Sequence, residues 1–213
     1  MQPKGEADRL TMPLEVEVKF LLDRPDSIRT RLSDMGARSS GRHFETNLRF
    51  DDAHRSLLRK GALLRLRLDR EALLTFKDKV SGSDTEFKVH RELEVVVDDF
   101  ARMEQILQAV GFSAVQCYEK WRETFHLEGV AFCLDTLPFG EFLEIEGEKE
   151  SIRRFSSRLG LSWEKRILDN YLHIFELLKE QMGLSFSDVT FENFEGLDAD
   201  INALAPLLEA GKK

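Results

Sequence analysis

Apolar and polar residues alternate with a period of two through much of the chain. In PLEVEVKFLL, positions 13–22, Leu14, Val16, Val18 and Phe20 fall on one side of an extended strand, with Glu15, Glu17 and Lys19 on the other. ETNLRF sets Glu45, Asn47 and Arg49 against Leu48 and Phe50, and LLRLRL sets Arg65 and Arg67 against Leu64, Leu66 and Leu68. LLTFKDK groups Thr75, Lys77 and Lys79, while KVHRELEVVV aligns Lys88, His90, Glu92 and Glu94. YEKWRETFHL aligns Lys120, Arg122, Thr124 and His126 opposite Trp121, Phe125 and Leu127. VAFCLD places Asp135 with Ala131 and Cys133, and EFLEIEG sets Glu144 and Glu146 against Leu143 and Ile145. The pattern predicts eight strands, each with an ionic and an apolar face.

Helical stretches lie between them. RPDSIRTRLSDMG opens on Pro25 and Asp26 and ends at Gly36, and DDFARMEQILQAVG runs from an acidic first turn to Gly111. ESIRRFSSRLG and WEKRILDNYLHIFELLKEQMG follow the last strand. Their Leu, Ile and Phe stripes need an apolar surface to cover, and the apolar strand faces offer one. The order of elements repeats: the strand of Glu15 and Glu17 precedes a helix and charged strands, and so does the strand of Glu92 and Glu94. Two pseudo-equivalent halves are implied.

Antiparallel strands in this number can close on themselves and remove their edges. If the charges pointed outward, the helices would have nothing apolar to dock on. With the charges inward, the helices pack outside and the lumen is a polar tunnel. The inward set then holds Glu15, Glu17, Glu92, Glu94, Asp135, Glu144 and Glu146 beside Lys19, Arg65, Arg67, Lys77, Lys79, Lys88, Lys120 and Arg122. Near-balanced charge makes this feasible, because an unpaired buried ion is costly. The predicted fold is α+β, an eight-stranded antiparallel closed β-barrel with a charged lumen and helices packed outside.

Composition adds limits. The chain has 213 residues, 42% of them hydrophobic, enough for one substantial core, and no Pro/Gly/Ser-rich linker divides it. One tunnel domain over 13–182 is expected, with a tail at 1–12 and an extension at 183–213. That extension carries Phe186, Phe191, Phe194 and an apolar stripe, and is expected to pack on the barrel, a dimer surface or a tunnel mouth. No apolar run approaches the ~18 residues of a spanning helix, and MQPKGEADRLTM lacks a signal-peptide core. A cytoplasmic protein without a membrane partner is expected. Cys117 and Cys133 read as buried thiols. The net charge of −8 opposes binding to nucleic acid, so a polyanion can bind only where cations are concentrated.

The predicted lumen provides that concentration. Clustered carboxylates hold hard divalent cations, and Mg²⁺ is commonly shared between one or two carboxylates and phosphate oxygens. Rings of Arg and Lys complement phosphates. Together they point to a metal-bound polyphosphate.

EVEVK, with Glu15, Glu17 and Lys19, resembles the E-x-E-x-K signature that opens the CYTH superfamily, the triphosphate tunnel metalloenzymes. ETNLRFD, GALLRLR, LTFK, K-x-H-x-E-x-E, KWR, LDTLPFGEFLEIEG and a late NYLHIF follow in the family's order, so the resemblance runs from about Glu15 to about Leu178. It implies an eight-stranded antiparallel tunnel, and a divalent metal, Mg²⁺ or Mn²⁺, on Glu15, Glu17, Glu144 and Glu146. It also implies a triphosphate gripped by Lys19, Arg65, Arg67, Lys77, Lys88, Lys120 and Arg122. Glu92, Glu94 and Asp135, with Lys19, fall at positions implied in catalysis, the acids either helping with a second metal or holding the cations in position. Two residues depart from the pattern: His90 stands where the family often has Arg, and Arg49 where an aromatic is frequent.

The expected activity is metal-dependent hydrolysis of inorganic tripolyphosphate or an organic triphosphate such as thiamine triphosphate or a nucleoside triphosphate. The alternative is a class IV adenylate cyclase making cyclic AMP and pyrophosphate. A non-catalytic polyphosphate-binding module would need the cations but not the acids. The expected partner is a small-molecule triphosphate, with a homodimer left open.

Overall fold

The computed structural model describes residues 14–80 and 84–210, so the expected N-terminal tail lies outside the described residues. The strands are β1 (Leu14–Leu21), β2 (Arg38–Asp51), β3 (Leu63–Leu68), β4 (Ala72–Lys79), β5 (Lys88–Val97), β6 (Ser113–Leu127), β7 (Val130–Leu137) and β8 (Gly140–Glu146). They close into a barrel in the order β1-β5-β4-β3-β2-β6-β7-β8. Every neighbouring pair is antiparallel. Interchanging β1 with β5, β2 with β6, β3 with β7 and β4 with β8 leaves that ring order unchanged. The repeat read from the chain is thus a repeat of topology.

The joints differ in length. Between β1 and β5 only Leu14–Glu17 meets Lys88–Arg91, whereas β2 and β6 pair from Arg38 and His126 to Asp51 and Ser113, interrupted by register shifts.

The helices are α1 (Pro25–Asp34), α2 (Ser56–Arg59), α3 (Phe100–Ala109), α4 (Lys149–Arg158), α5 (Tyr171–Met182) and α6 (Ala205–Leu208). Pro25 sits in the first turn of α1, where its missing N–H costs nothing, and Asp99 caps α3 by accepting from the Arg102 amide. Gly36 and Gly111 follow α1 and α3 with φ of 82° and 96°, a conformation that glycine adopts without strain. Among the described residues no helix is long and apolar enough to cross a membrane.

The apolar strand faces point outward, under the helices. Ile28 and Leu32 of α1 and Ile152 and Phe155 of α4 pack on Val18, Phe20, Phe132, Leu143 and Ile145. Leu107 of α3 packs on Phe50 and Leu66. A third cluster joins inward-facing Phe142 and Tyr118 to α5 through Tyr171, Ile174 and Phe175, and to the C-terminal stretch through Val189, Phe194 and Leu208. The core is therefore a layer between barrel and helices, completed by an apolar stopper on one side of the lumen.

Three local features differ from the strand and helix pattern read in the chain. The helical stretch expected over 163–183 is broken into a 3-10 turn (Trp163–Lys165), an extended segment and α5. The extended segment exists because β1 runs past the end of its pairing with β5. There Lys19 donates to the Ile167 carbonyl at 3.1 Å and accepts from the Ile167 amide at 2.7 Å, so this edge is covered. Val189 likewise donates to the Cys117 carbonyl at 2.8 Å and accepts from the Glu119 amide at 2.9 Å. Finally, α2 forms after β2 because Asp51 accepts from the Leu57 and Leu58 amides and Asp52 from that of Ser56.

Phe155 is fully buried and meets Phe132 edge to face at 5.2 Å between ring centroids. Phe155→Ala should destabilise the fold by about 3–5 kcal/mol through lost burial and the cavity left behind. Urea denaturation followed by circular dichroism checks this, and an unchanged midpoint would contradict a core placed outside the barrel.

Candidate active site

The ionic strand faces enclose a cavity of about 690 Å³. Glu15, Glu17 and Lys19 reach it from β1, Arg65 and Arg67 from β3, and Lys77 from β4. Lys88, Glu92 and Glu94 enter from β5, Lys120 and Arg122 from β6, and Glu144 and Glu146 from β8. Asp135 of β7 is fully buried behind them. Period-two alternation therefore brought every nominated residue to one lumen or its wall.

One part of the lumen is acidic. Glu17 and Glu146 are direct partners across β1 and β8, and Glu15 lies one step farther along the same inward face. Lys77 donates to Glu15 at 2.6 Å and lies 3.2 Å from Glu92, while Lys88 pairs with Glu17. Burial alone would raise the Glu17 carboxyl, yet Lys88, with help from Lys19 and Lys77, brings it down to about 2. Among the described residues Glu146 has no ion-pair partner. Partial burial and the nearby charges of Glu15 and Glu17 push its carboxyl up to about 7. Glu92 is also raised, by burial and by Glu15, against the pull of Lys77. This is a group of oxygen donors with more negative charge than its neighbours neutralise.

The other part is cationic and rests on buried acids. Asp135 accepts from Lys120 Nζ at 3.0 Å, Arg122 Nε at 2.6 Å and Tyr171 Oη at 2.8 Å. Glu144 lies 2.7 Å from Lys19 Nζ and also pairs with Arg122. Burial would raise Glu144, but Lys19, Arg122 and Lys120 hold its carboxyl well below the usual range. Lys19 Nζ stands 4.2 Å over the Tyr171 ring, and Lys120 Nζ 5.3 Å from its centroid. Arg65 donates to Tyr118 Oη and Thr75 Oγ1 at 3.3 Å and lies 3.9 Å from Glu94, while Arg67 is 3.1 Å from Asp69.

Sequence reasoning grouped Glu144 with the metal-holding acids, whereas the structure joins it to two cations. It left out Tyr171, which supplies both a hydroxyl and a ring face to the cationic part. The signal available was an aromatic directly after Asn170, whose side chain caps α5 by accepting from the His173 amide. It also gave Glu45 no role beyond its inward parity. Glu45 lies 3.5 Å from Lys120 and 3.8 Å from Arg122, and His43 Nε2 is 3.3 Å from it. His43, Glu45 and Asp69 offer ligand atoms within 4.8 Å of one another. Lys120, Arg122 and Arg67 already neutralise those two acids, so a further cation has less to gain there than beside Glu146.

The family model described as CYTH domain matches residues 13–157. The adenylate-cyclase-named protein MJ0240 of Methanocaldococcus jannaschii, whose own name marks the assignment as provisional, is 27% identical over 76% of this chain and 98% of its length. The solved PH1012 protein of Pyrococcus horikoshii OT3 is 26% identical, with a TM-score of 0.63 over 74% of this chain and 96% of its own. HpAC1 of Hippeastrum, named as an adenylyl cyclase and described as having a dominant triphosphatase activity, shares the fold at 20% identity. Its TM-score is 0.55, over 76% of this chain and 95% of that one.

A carboxyl raised in the folded state binds its proton more tightly there than in the unfolded chain. The contribution of Glu146 to stability therefore falls as pH rises from 4.5, its ordinary value, to about 7, and levels off above. Melting temperatures of metal-free protein across this window should decline more steeply for wild type than for Glu146→Gln. Parallel curves would contradict the raised carboxyl.

Proposed function

This chain belongs to the CYTH-domain family, and on that premise we propose that it is a divalent-metal-dependent triphosphatase acting on inorganic tripolyphosphate or an organic triphosphate. The observation that carries the reading is that an under-neutralised carboxylate group and a set of buried-acid-anchored cations face one lumen. A triphosphate with its cation supplies the complementary charges.

Glu15, Glu17 and Glu146, with Glu92 beside them, would hold the metal. The donor set fits, since all are hard carboxylate oxygens of the kind that bind Mg²⁺ or Mn²⁺, and Glu146 has no competing ion pair among the described residues. When bound, such an ion supplies neutralising charge at the phosphoryl oxygens. Lys19, Arg65, Arg67, Lys77, Lys120 and Arg122 grip the anion, with Asp135 and Glu144 fixing Lys19, Lys120 and Arg122 in advance. Rate enhancement then rests on positioning and electrostatics. In hydrolysis the oxygen of water bonds to the terminal phosphorus and the bond to the bridging oxygen breaks. Pyrophosphate, or the organic diphosphate when the substrate is an ester, leaves with that electron pair, and Glu92, its carboxyl raised, would take the proton of water.

The name of the Methanocaldococcus jannaschii relative favours a second reading. In it a ribose 3′-hydroxyl attacks the α-phosphorus of ATP, giving cyclic AMP and pyrophosphate from the same lumen. Incubation with tripolyphosphate, ATP and thiamine triphosphate under Mg²⁺ or Mn²⁺, followed by phosphorus NMR, separates the two. Orthophosphate and diphosphate products support the triphosphatase, cyclic AMP the cyclase, and binding without turnover a polyphosphate-binding module.

Glu17→Gln keeps the shape of the side chain but removes a donor charge, so turnover should fall steeply while the fold persists. Unchanged turnover at saturating metal would remove Glu17 from the metal set. Arg67→Ala should weaken tripolyphosphate binding by roughly 1.5–3 kcal/mol, the scale of a charged hydrogen bond. At ~100 times its dissociation constant the ligand should stabilise wild type by about 2.7 kcal/mol. Melting curves should show that gain shrinking in Arg67→Ala, and an equal gain in both proteins would argue against a grip by Arg67.

A further inference from the structure

The cations of the lumen are not all matched. Arg49 of β2 is the direct register partner of Arg65 of β3, and both line the cavity. Arg65, Lys77, Lys88 and Lys120 each have a carboxylate within 4 Å. Arg49 is half-buried, and its side-chain hydrogen bond, to Gln116 Oε1, is long at 3.5 Å. Among the described residues no carboxylate stands at ion-pair distance from it. Burial lowers its pKa, with Asp51 opposing that shift, Arg55 adding to it, and Tyr118 and Glu176 opposing it more weakly. Lys79 lines the same cavity, also without a carboxylate partner among the described residues.

A half-buried guanidinium without a counter-ion is stabilised by an incoming anion, and its planar fork suits a phosphoryl group. A polyanion held by Arg65 meets Arg49 as its next neighbour. The lining of the same cavity also includes the start of α5, with Asn170, Leu172 and His173, and Glu176 one turn farther on.

We propose that Arg49 is a specificity-determining residue that receives an anionic group beyond the triphosphate. The lumen accordingly prefers a linear condensed phosphate longer than tripolyphosphate over tripolyphosphate itself and over a nucleoside triphosphate, which would present an uncharged ribose and base to this guanidinium. The inference rests on the reading that the lumen holds a triphosphate.

The test compares kcat/KM for tripolyphosphate, tetrapolyphosphate and ATP in wild type, Arg49→Gln and Arg49→Lys, with melting shifts for the same ligands. Wild type should favour tetrapolyphosphate. Arg49→Gln should lower the tetrapolyphosphate-to-tripolyphosphate ratio roughly tenfold, as loss of one charged hydrogen bond implies, and Arg49→Lys should restore part of it. An unchanged ratio, an equal loss on all three substrates, or a loss confined to ATP overturns the proposal. If no substrate turns over, the triphosphatase reading falls, and Arg49 is judged on melting shifts alone. Tetrapolyphosphate must then stabilise wild type more than Arg49→Gln, and equal shifts overturn the inference.

Discussion

Asp135 accepts from Lys120, Arg122 and Tyr171 while fully buried, and much of the lumen depends on that arrangement. A carboxylate alone in such a place would be protonated or would destabilise the fold, and two cations alone would repel each other. Together they form a unit that needs no water. It fixes two phosphate-sized positive groups on β6, ties β6 to β7, and fastens α5 to the barrel wall through one phenol. Glu144 extends the arrangement by joining Arg122 to Lys19 on β1. The positive part of the lumen is thereby set before any ligand arrives.

A lumen filled with ions leaves the barrel interior unable to supply a hydrophobic core. The apolar faces of the strands take over that task from outside, beneath α1, α3 and α4, and the third cluster does so at α5 and the C-terminal stretch. Beneath α1, α3 and α4 cohesion and chemistry are separated by the thickness of one sheet, while at α5 inward-facing Phe142 and Tyr118 carry apolar packing up to the lumen. On the packed side of that sheet, Ile145 is buried next to Glu146, whose carboxyl is raised by partial burial and by Glu15 and Glu17.

The strands and their facing were legible because alternation with a period of two maps directly onto the two sides of a sheet, and the amphipathic helices decided which side was inside. Parity names a face, however, and not a partner. Glu144 and Glu146 share one face of β8, yet one is held by Lys19 and Arg122 and the other faces Glu15 and Glu17. That difference comes from neighbours across the barrel, which no local pattern encodes. The first half of β2, RSSGRH, is polar on both sides and so carried no alternation to read. Ile167 lies within a run that reads as helix, and bridges to Lys19 on the edge of β1 and to Glu209 near the C-terminus draw it into an extended segment. Tyr171 was hidden for a related reason, since an aromatic at a helix start reads as packing until its hydroxyl is found on Asp135.

The joint between β1 and β5 is short, and its position is informative. Like the narrowest glued seam between two staves, it is where the fewest backbone bonds must break for the wall to part. Glu17 on one side of that seam is ion-paired to Lys88 on the other, and Glu15 stands opposite His90. Charge that entered beside Glu17 would compete with Lys88 for the same carboxylate. The cohesion of the barrel at its narrowest seam would then be coupled to what the lumen contains, and amide exchange along Leu14–Glu17 and Lys88–Arg91 would register the contents as a change in the wall.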